Sequence, residues 1–405
     1  MAEINYRKRG SKWEYRFEAA KVDGKRRHIS KGGFNSKKDA AIAGAKAYEE
    51  YFTCGNTFEP SEMSVSDYLD KYIELYVEQE LAYNTQEYYK QVFKNHIRPN
   101  FGHYMLKSLS PKLMQEFANS MKTSGFAASH AKNIFAMWSS ALDYAVHPLQ
   151  YIKQNPCSFV RIPNYDNRKR ERIILTKDEF SKIIGRFPEG SRFYIPLMIG
   201  YYTGVRISEC FGLTWDDIDF ENRTISVNKQ MSKRKYNNQN RWFYSDKLKT
   251  RKSKRVIPFG DTLYNALKAE QNRQLRNELY YGKLYKVTYQ SKSSEGLVML
   301  FQYTKELAMP HKRVKPICVS ENGELTTTDS FKYCCRVVHH NLQLAFDYHC
   351  LRHTHATMLI EAGAPIKSVS ERLGHARIET TLNTYVHNTE EMATETADIF
   401  EKVAR

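Results

Sequence analysis

The stretch FDYHCLRHT, residues 346–354, decides how the rest of the chain is interpreted. His349 and Arg352 lie three residues apart, so a helix would place both side chains on one face. A guanidinium fork and an imidazole on one rigid element are well suited to holding a phosphate group. The stretch therefore predicts a phosphate-directed helix, which Gly363 and Pro365 end.

Two segments on the C-terminal side extend this pattern. The triplet LGH, residues 373–375, ends a predicted helix, and His375 is placed to donate a hydrogen bond to a phosphate oxygen. Tyr385 follows on a short predicted helix that begins near Thr380. The chain has 28 tyrosines, so position behind the two motifs, rather than residue type, makes Tyr385 a candidate nucleophile.

An upstream segment, TGVRISE at residues 203–209, supplies a second arginine. We expect Arg206 just inside a helix that begins near Thr203-Gly204, with Glu209 one turn further on to orient it. Attack on a phosphodiester places excess negative charge on the nonbridging oxygens, which permanently charged guanidinium groups stabilise. Taken alone, Arg206 has the ordinary interpretation of a surface or ion-pairing arginine.

A basic segment, DKLKTRKSKRVIP at residues 246–258, adds a proton donor. It predicts a β-hairpin with a basic tip and an apolar return strand, although in isolation it is no more than a basic loop. Tyrosine attack expels a deoxyribose hydroxyl, so the phenol must lose a proton and the leaving oxygen must gain one. His349 suits the base and a lysine suits the acid, with Lys247 and Lys249 both open.

The histidines also admit a zinc site, because His349 and His353 stand at i and i+4 with His355 nearby. No carboxylate of the HExxH kind accompanies them, and Arg352 repels a cation. We therefore expect no metal and interpret His353 and His355 as structural.

The bulk composition favours a polyanionic partner. The net charge is +17 and the pI is near 9.3, as expected of a nucleic-acid-binding protein but also of a merely soluble basic one. No run of eighteen apolar residues occurs, and residues 1–10 lack the apolar region of a signal peptide. The seven cysteines include no CxxC pair, which predicts reduced thiols used in packing and a cytoplasmic location.

The first part of the chain, residues 1–58, predicts a small basic module. Strands at 13–19 and 25–30, a short extended piece at 33–34 and a helix from Ser36 to Phe52 follow one another. Such a sheet could enter a DNA groove, whereas the alternative is a solvated basic surface. The candidate DNA contacts in this module are Arg16, Lys25, Arg26 and Arg27.

Residues 64–159 predict a helical domain with an aromatic interior. We expect its second helix, from Thr85, to end at Arg98-Pro99. The candidate phosphate contacts are Lys90, Lys94 and Lys132, followed in the connector by Arg168, Lys169 and Arg170. The expected helices start or end near Val65, Ile97, Pro111, Ser124, Ala128 and Val146.

Residues 173–405 predict one mainly helical domain with a small β element. The fold class is thus mainly α with small β elements (α+β): a β-sheet-plus-helix module, a helical domain, and a mainly α domain with a β-hairpin. The tyrosine-rich segment 274–315 has no assignment from its sequence.

These motifs together resemble the tyrosine recombinase (integrase) family, and the three-domain order resembles lambda-type phage and conjugative-transposon integrases. The resemblance implies an arm-type DNA-binding domain at 1–58, a core-binding domain at 64–159 and a catalytic domain at 173–405. It favours Lys249 over Lys247 through the Lys-Thr pair. The residues that it assigns to catalysis are Arg206, Lys249, His349, Arg352, His375 and Tyr385.

The resemblance also implies a reaction and an assembly. A site-specific recombinase of this kind cleaves and rejoins DNA through a 3′-phosphotyrosyl intermediate, without cofactor, ATP or metal, to integrate and excise a mobile element. Expected partners are double-stranded DNA with core-type and arm-type attachment sites and three further copies of the chain in a homotetramer. The resemblance allows an excisionase and a host DNA-bending protein as well, in a bacterial cytoplasm or nucleoid.

Two other functions stay open at this point. A DNA-binding regulator could use the same scaffold without chemistry, although the complete set of six residues argues against it. A type IB topoisomerase shares the chemistry, and arm binding with ordered assembly would separate the two.

Overall fold

The structure is a computed structural model that describes residues 4–22, 25–54, 61–165, 172–246, 253–292, 297–304, 311–385, 400–401 and 404. The chain forms two compact units, Met1–Lys169 and Arg170–Arg405.

The first unit begins with a three-stranded antiparallel sheet in the order β1-β2-β3 and one helix. Tyr15, Phe17 and Ala47 are buried between the sheet and the helix. Ser36 Oγ accepts a hydrogen bond from the Asp39 amide (3.1 Å), which caps the helix as expected. The elements are β1 (Asn5–Arg9), β2 (Lys12–Val22), β3 (Lys25–Phe34) and α1 (Lys37–Cys54).

The sheet differs from the sequence-based expectation in its third strand. The extended piece at 33–34 is the end of β3, not a separate strand, and β1 is the additional strand. The sequence of β1, NYRKR, lacks alternation of apolar and polar residues, so its strand forms through pairing with β2 rather than through a local pattern.

The helical part of the first unit surrounds an apolar core. Phe93 and Trp138 are fully buried there beside Val65 and Ile134, which confirms the packing role expected of these two aromatic residues. We call the buried residues of this cluster the helical-domain core. The helices are α2 (Val65–Tyr72), α3 (Glu78–Glu80), α4 (Tyr83–Val92), α5 (Arg98–Phe101), α6 (Pro111–Thr123) and α7 (Ala128–Val146).

The expected stop at Arg98-Pro99 is wrong. A π-helical segment, Phe93–Ile97, continues from α4 into α5, and Pro99 lies in the first turn of α5. A proline is tolerated there because the first residues of a helix have no intrahelical acceptor for their N–H groups. Arg98-Pro99 therefore marks the start of a further helical segment instead of the end of the helix.

The second unit is mainly helical. Its apolar core includes Leu197, Ile199, Val205 and Leu351, all fully buried. Thr176 and Glu179 form a capping box at the start of the first helix. The helices are α8 (Lys177–Arg186), α9 (Tyr194–Thr203), α10 (Ile207–Cys210), α11 (Asp261–Tyr281), α12 (Thr328–Leu342), α13 (Tyr348–Glu361), α14 (Ile366–Leu373) and α15 (Ile378–Tyr385).

Two antiparallel sheets accompany these helices. One has three strands in the order β4-β5-β8, and the other has five in the order β11-β9-β10-β7-β6. The strands are β4 (Ile218–Asp219), β5 (Thr224–Val227), β6 (Gln230–Tyr236), β7 (Gln239–Ser245), β8 (Arg255–Pro258), β9 (Val287–Lys292), β10 (Val298–Tyr303) and β11 (Lys312–Val314).

The expected β-hairpin over residues 246–258 lies only partly within the described residues, because 247–252 fall outside them. Its return strand exists as β8, but β8 pairs with β5, whereas β7 pairs with β6 and β10. The described strands on either side of the basic segment, β7 and β8, thus belong to different sheets. The unassigned segment 274–315 also belongs here, because it completes α11 and supplies β9 to β11 of the five-stranded sheet.

The expected fold class is confirmed: the molecule is mainly helical with small antiparallel sheets. The six cysteines whose side chains the structure describes are free, and five of them are buried, which agrees with packing roles. None of the helices in the described part of the chain is long and apolar enough to cross a membrane.

Candidate active site

Arg206 lies in the link between α9 and α10. Gly204 ends α9 in the left-handed conformation (φ 65°), and Arg206 is the N-cap residue of the four-residue α10. The prediction that a helix begins near Thr203 is thus wrong. Thr203-Gly204 ends α9, and α10 starts only after Arg206. A side chain at Gly204 would also clash with Leu373 and His355, so the glycine permits a close approach of α14.

Glu209 orients Arg206 as expected. Its Oε1 accepts from Arg206 Nη1 (2.8 Å) and its Oε2 from the Arg206 amide (2.9 Å). Glu209 is only 2% exposed, and Oε2 also accepts from Arg255 Nη2 (3.0 Å). Burial opposes ionisation, but the charge and hydrogen bond of Arg255, followed by those of Arg206, hold the pKa of this carboxyl below its usual value.

Arg352 and His349 share α13, whose start Asp347 caps through the Cys350 amide (3.0 Å). Arg352 is only 5% exposed, and its Nη1 and Nη2 donate to Gly204 O (2.7 Å) and Leu373 O (2.8 Å). His349 is exposed. The helix therefore carries a guanidinium fixed in the interior and an imidazole open to solvent.

His375 follows the left-handed Gly374 that ends α14, as expected. Its Nδ1 forms a hydrogen bond with Thr381 Oγ1 of α15 (2.8 Å). Burial and the positive charges of Arg352, Arg206 and Arg255 lower the pKa of His375 to about 4. The imidazole is therefore neutral at physiological pH and able to act as a hydrogen-bond donor without carrying a charge.

The last turn of α14 joins these elements. Its three consecutive carbonyls accept from three arginines: Arg372 O from Arg255 Nε (2.7 Å), Leu373 O from Arg352 Nη2 (2.8 Å) and Gly374 O from Arg206 Nη2 (3.2 Å). Carbonyls at a helix end lack intrahelical donors and carry partial negative charge, so guanidinium groups suit them. Three cations from distant parts of the chain thus meet directly beside His375.

The side chain of Arg372, in the last turn of α14, forms a second set of contacts that hold this helix in place. Arg372 donates to Pro258 O (3.0 Å), to Tyr202 O (3.1 Å) and to His355 Nε2 (3.0 Å). Burial and the charge of Arg372 lower the pKa of His355 to about 4, in line with its expected structural role. We call the following residues the charged centre: Arg206, Glu209, Arg255, Arg352, His355, Arg372 and His375.

Two of the six expected catalytic residues have no described side chain. Tyr385 is the last residue of α15, the helix to which Thr381 ties His375, but its side chain lies outside the described residues. Lys249 and Lys247 fall in 247–252, outside the described residues altogether. The other four, Arg206, His349, Arg352 and His375, all belong to the second unit. Their catalytic roles stay predictions.

The residues expected to contact DNA are only partly described. Lys94 and Lys132 are exposed, and Arg16 is half-buried. Lys90 forms an ion pair with Glu78 (2.7 Å). The side chains of Lys25, Arg26 and Arg27 in β3, and all of Arg168, Lys169 and Arg170, lie outside the described residues. DNA binding by any of these ten residues therefore stays a prediction.

Arg255, like Arg372, belongs to the charged centre but was not predicted from the sequence. It was one basic residue in a basic segment, and its only distinguishing signal is its place directly before the apolar strand Val256-Ile257-Pro258. A metal site is not indicated: in the part of the chain that the structure describes, no three His, Cys, Asp or Glu side chains cluster in a way that could hold an ion.

Three family models match this chain. The phage integrase family covers residues 174–392, the phage integrase N-terminal SAM-like domain covers 64–122, and an arm DNA-binding domain covers 5–50. The first match alone spans more than half of the 405 residues.

Characterised relatives are recombinases. A XerC-like tyrosine recombinase of Caldanaerobacter subterraneus is 28% identical over 74% of this chain and 73% of its own length. The transposase from transposon Tn916 of Enterococcus faecalis is 26% identical over 70% of this chain, which spans 64% of that transposase, slightly less than two thirds.

Solved structures share the fold. A fragment of the Tn1549 transposon integrase in complex with a circular intermediate DNA has a TM-score of 0.64 at 22% identity, and the match covers 84% of this chain and 99% of that one. A lambda integrase fragment, a dimer bound to a core site, has a TM-score of 0.56 at 17% identity, covering 81% and 97%.

Proposed function

The chain belongs to the phage integrase family and is a tyrosine recombinase, and we propose that it recombines DNA through a 3′-phosphotyrosyl link to Tyr385. The observation that carries this proposal is the last turn of α14, where three arginines meet beside a neutral histidine. That concentration of fixed positive charge suits a phosphodiester transition state.

The two arginines of the motif have different surroundings, which suggests different tasks. The Arg206 side chain is 25% exposed with Glu209 fixed behind it, so its remaining N–H groups can reach a nonbridging oxygen. Arg352 is held more deeply, between Gly204 O and Leu373 O. In this proposal Arg206 contacts the scissile phosphate directly, and Arg352 adds charge from the interior side.

His375 completes the phosphate contacts. If the Thr381 hydroxyl donates to Nδ1, the proton of the neutral ring lies on Nε2, and in this proposal Nε2 donates it to a nonbridging oxygen once DNA is bound. The same bond holds His375 to α15, whose last residue is Tyr385. In this proposal α15 would therefore place Tyr385, the nucleophile, on the same side of the phosphate-binding site as the His375 imidazole.

Protons and bonds balance without a cofactor. The Tyr385 oxygen forms a bond to phosphorus while the bond to the 5′ oxygen breaks. The phenolic proton passes to His349, and Lys249 protonates the departing 5′ oxygen. The phosphotyrosyl ester retains the energy of the phosphodiester, so the reverse attack by a new 5′-hydroxyl rejoins the strands.

The partner in this proposal is double-stranded DNA, as in the solved relatives. The finer assignments are that residues 1–58 bind arm-type sites, 64–159 and 173–405 bind core-type sites, and four protomers exchange strands in pairs. An excisionase and a host DNA-bending protein are further proposed partners, in a bacterial cytoplasm or nucleoid. The non-catalytic regulator has no observation in its favour.

A nicked suicide DNA tests the proposal. Once the strand is cut, the short fragment carrying the 5′-hydroxyl diffuses away and traps the enzyme on DNA. We expect a covalent adduct at an attachment site, and recombinant products from intact sites. Rapid relaxation of supercoiled DNA that lacks such sites, without recombinants, would instead identify a topoisomerase.

The arm module has its own test. Removing residues 1–58 should leave suicide-substrate cleavage intact but impair full recombination. In footprints of the full chain, arm-site protection should weaken steeply with salt, because neutralised phosphates release counterions. Unchanged protection after the deletion would assign arm binding to another part of the chain.

A further inference from the structure

Arg255 is buried, charged and bound at every nitrogen of its fork. Its side chain is 7% exposed at the start of β8. Nη2 donates to Glu209 Oε2 (3.0 Å), Nε to Arg372 O (2.7 Å) and Nη1 to Ser253 O (2.9 Å). A guanidinium so enclosed has little surface left for a phosphate, so Arg255 is not itself a substrate contact.

The three bonds lead to three different parts of the site. Through Glu209 the fork reaches Arg206, because the same carboxylate holds Arg206 by its side chain and its amide. Through Arg372 O it holds the turn that ends at His375. Through Ser253 O it fixes the chain directly after residues 247–252, which include Lys249.

The packing around the fork is close. A Cβ at Gly374 would lie 3.0 Å from Arg255 Nη1, so the glycine lets the guanidinium lie against the end of α14. Glu209 is ionised because Arg255 and Arg206 together outweigh its burial. Loss of Arg255 would leave this carboxylate with Arg206 as its remaining cationic partner and free it to move.

We propose that Arg255 is a positioning residue that sets the cleavage-active placement of Arg206 and of the end of α14. This proposal about Arg255 rests on the recombinase function proposed above. Without the fork, Arg206 would still bind DNA phosphate, but it would be misplaced for the transition state. Misplacement by about 1 Å is enough to slow a reaction roughly a hundredfold.

The test compares Arg255→Ala and Arg255→Lys with Arg276→Ala, an exposed arginine of α11. DNA affinity and the single-turnover cleavage rate at saturating suicide DNA are measured separately. We expect both Arg255 variants to cleave about ten- to a hundredfold more slowly, with DNA affinity within about threefold of wild type. Lysine keeps the charge but cannot span Glu209 and Arg372 O together.

A double-mutant cycle separates positioning from general weakening of the fold. In an Arg206→Ala background, Arg255→Lys should slow cleavage by clearly less than it does in the wild-type chain, because one of its two targets is already gone. Independent, multiplicative losses would overturn the proposal, as would a wild-type rate for Arg255→Lys. If Arg255→Ala does not fold, the lysine variant decides alone. An absence of any wild-type adduct would refute the recombinase function instead.

Discussion

The helical-domain core is buried and the charged centre is only partly buried, and the two are held by opposite means. In the first, burial raises the pKa of the Tyr68 and Tyr72 hydroxyls, and each forms a hydrogen bond, to Ala141 O and Ser140 Oγ respectively. In the second, burial and neighbouring cations lower the pKa of His355 and His375. Side-chain packing stabilises the helical-domain core. In the charged centre, hydrogen bonds hold several cations around a small number of acceptors.

This difference predicts where mutations act. Changes in the helical-domain core should alter the free energy of unfolding without altering the cleavage rate of folded protein. Changes in the charged centre should alter the cleavage rate more than the free energy of unfolding, most clearly where a side chain is partly exposed.

The largest effect concerns Lys249, the proposed acid. Lys249→Ala should slow cleavage of ordinary DNA by about a hundred- to ten-thousandfold, the range of general acid catalysis. A 5′-bridging phosphorothiolate has a leaving group that needs no proton, so most of the rate should return on that substrate. Rescue of Lys247→Ala but not of Lys249→Ala would reverse the assignment.

The next effect concerns Arg206 and Arg352. Either change to alanine should slow cleavage by about a hundred- to a thousandfold, equivalent to roughly 3–4 kcal/mol of barrier. Arg352→Ala should also lower the thermal midpoint, because it leaves two carbonyls without their donors in the interior. Arg206→Ala should lower it less. Equal losses of binding and rate would make either residue a plain phosphate anchor.

A smaller effect concerns the acid stability of the charged centre. The pKa of His375 is about 4 in the folded chain and about 6.5 when unfolded, so only the unfolded chain gains a proton between these values. Stability must therefore fall as pH drops from about 6.5 to 4. In His375→Gln the slope should flatten by up to about 1.4 kcal/mol per pH unit. Chemical denaturation across this pH range measures it, and an unchanged slope contradicts the assignment.

The smallest effect belongs to the helical-domain core. Ile134 is fully buried, and Ile134→Val should cost about 0.5–1.5 kcal/mol of unfolding free energy. The single-turnover cleavage rate should stay at the wild-type value. Lys132→Ala, on the same helix but exposed, is the matched control for stability. A rate loss in Ile134→Val would show that the two regions are not separable.

The two regions also differ in how far sequence predicts them. The boundaries of α6 and α7 were within reach because caps, prolines and apolar spacing act locally. Strand pairing is not local, which is why β1 was missed and β8 was assigned to the wrong partner. Thr203-Gly204 also gave an ambiguous signal, because a glycine beside a helix can follow an end as well as precede a start.

In the charged centre, motifs identified Arg206, Arg352 and His375 but not how they are held. Arg255 stood among 62 lysines and arginines, and its bonds to Glu209 and Arg372 O exist only once distant elements meet. The convergence on three consecutive carbonyls of α14 likewise has no signature in the linear pattern. The sequence motifs therefore predict which residues form the site. The hydrogen bonds that hold those residues in place are seen only in the folded structure.

The most direct test of the central claim identifies the amino acid that becomes linked to DNA. Adduct formed on suicide DNA would be digested with protease and nuclease, and the nucleotide-bearing peptide sequenced by mass spectrometry. We predict a 3′-phosphate ester on Tyr385, no adduct from Tyr385→Phe despite wild-type DNA affinity, and normal adduct from Tyr333→Phe, an exposed tyrosine on α12. A linkage at any other residue, or wild-type adduct from Tyr385→Phe, would contradict the account.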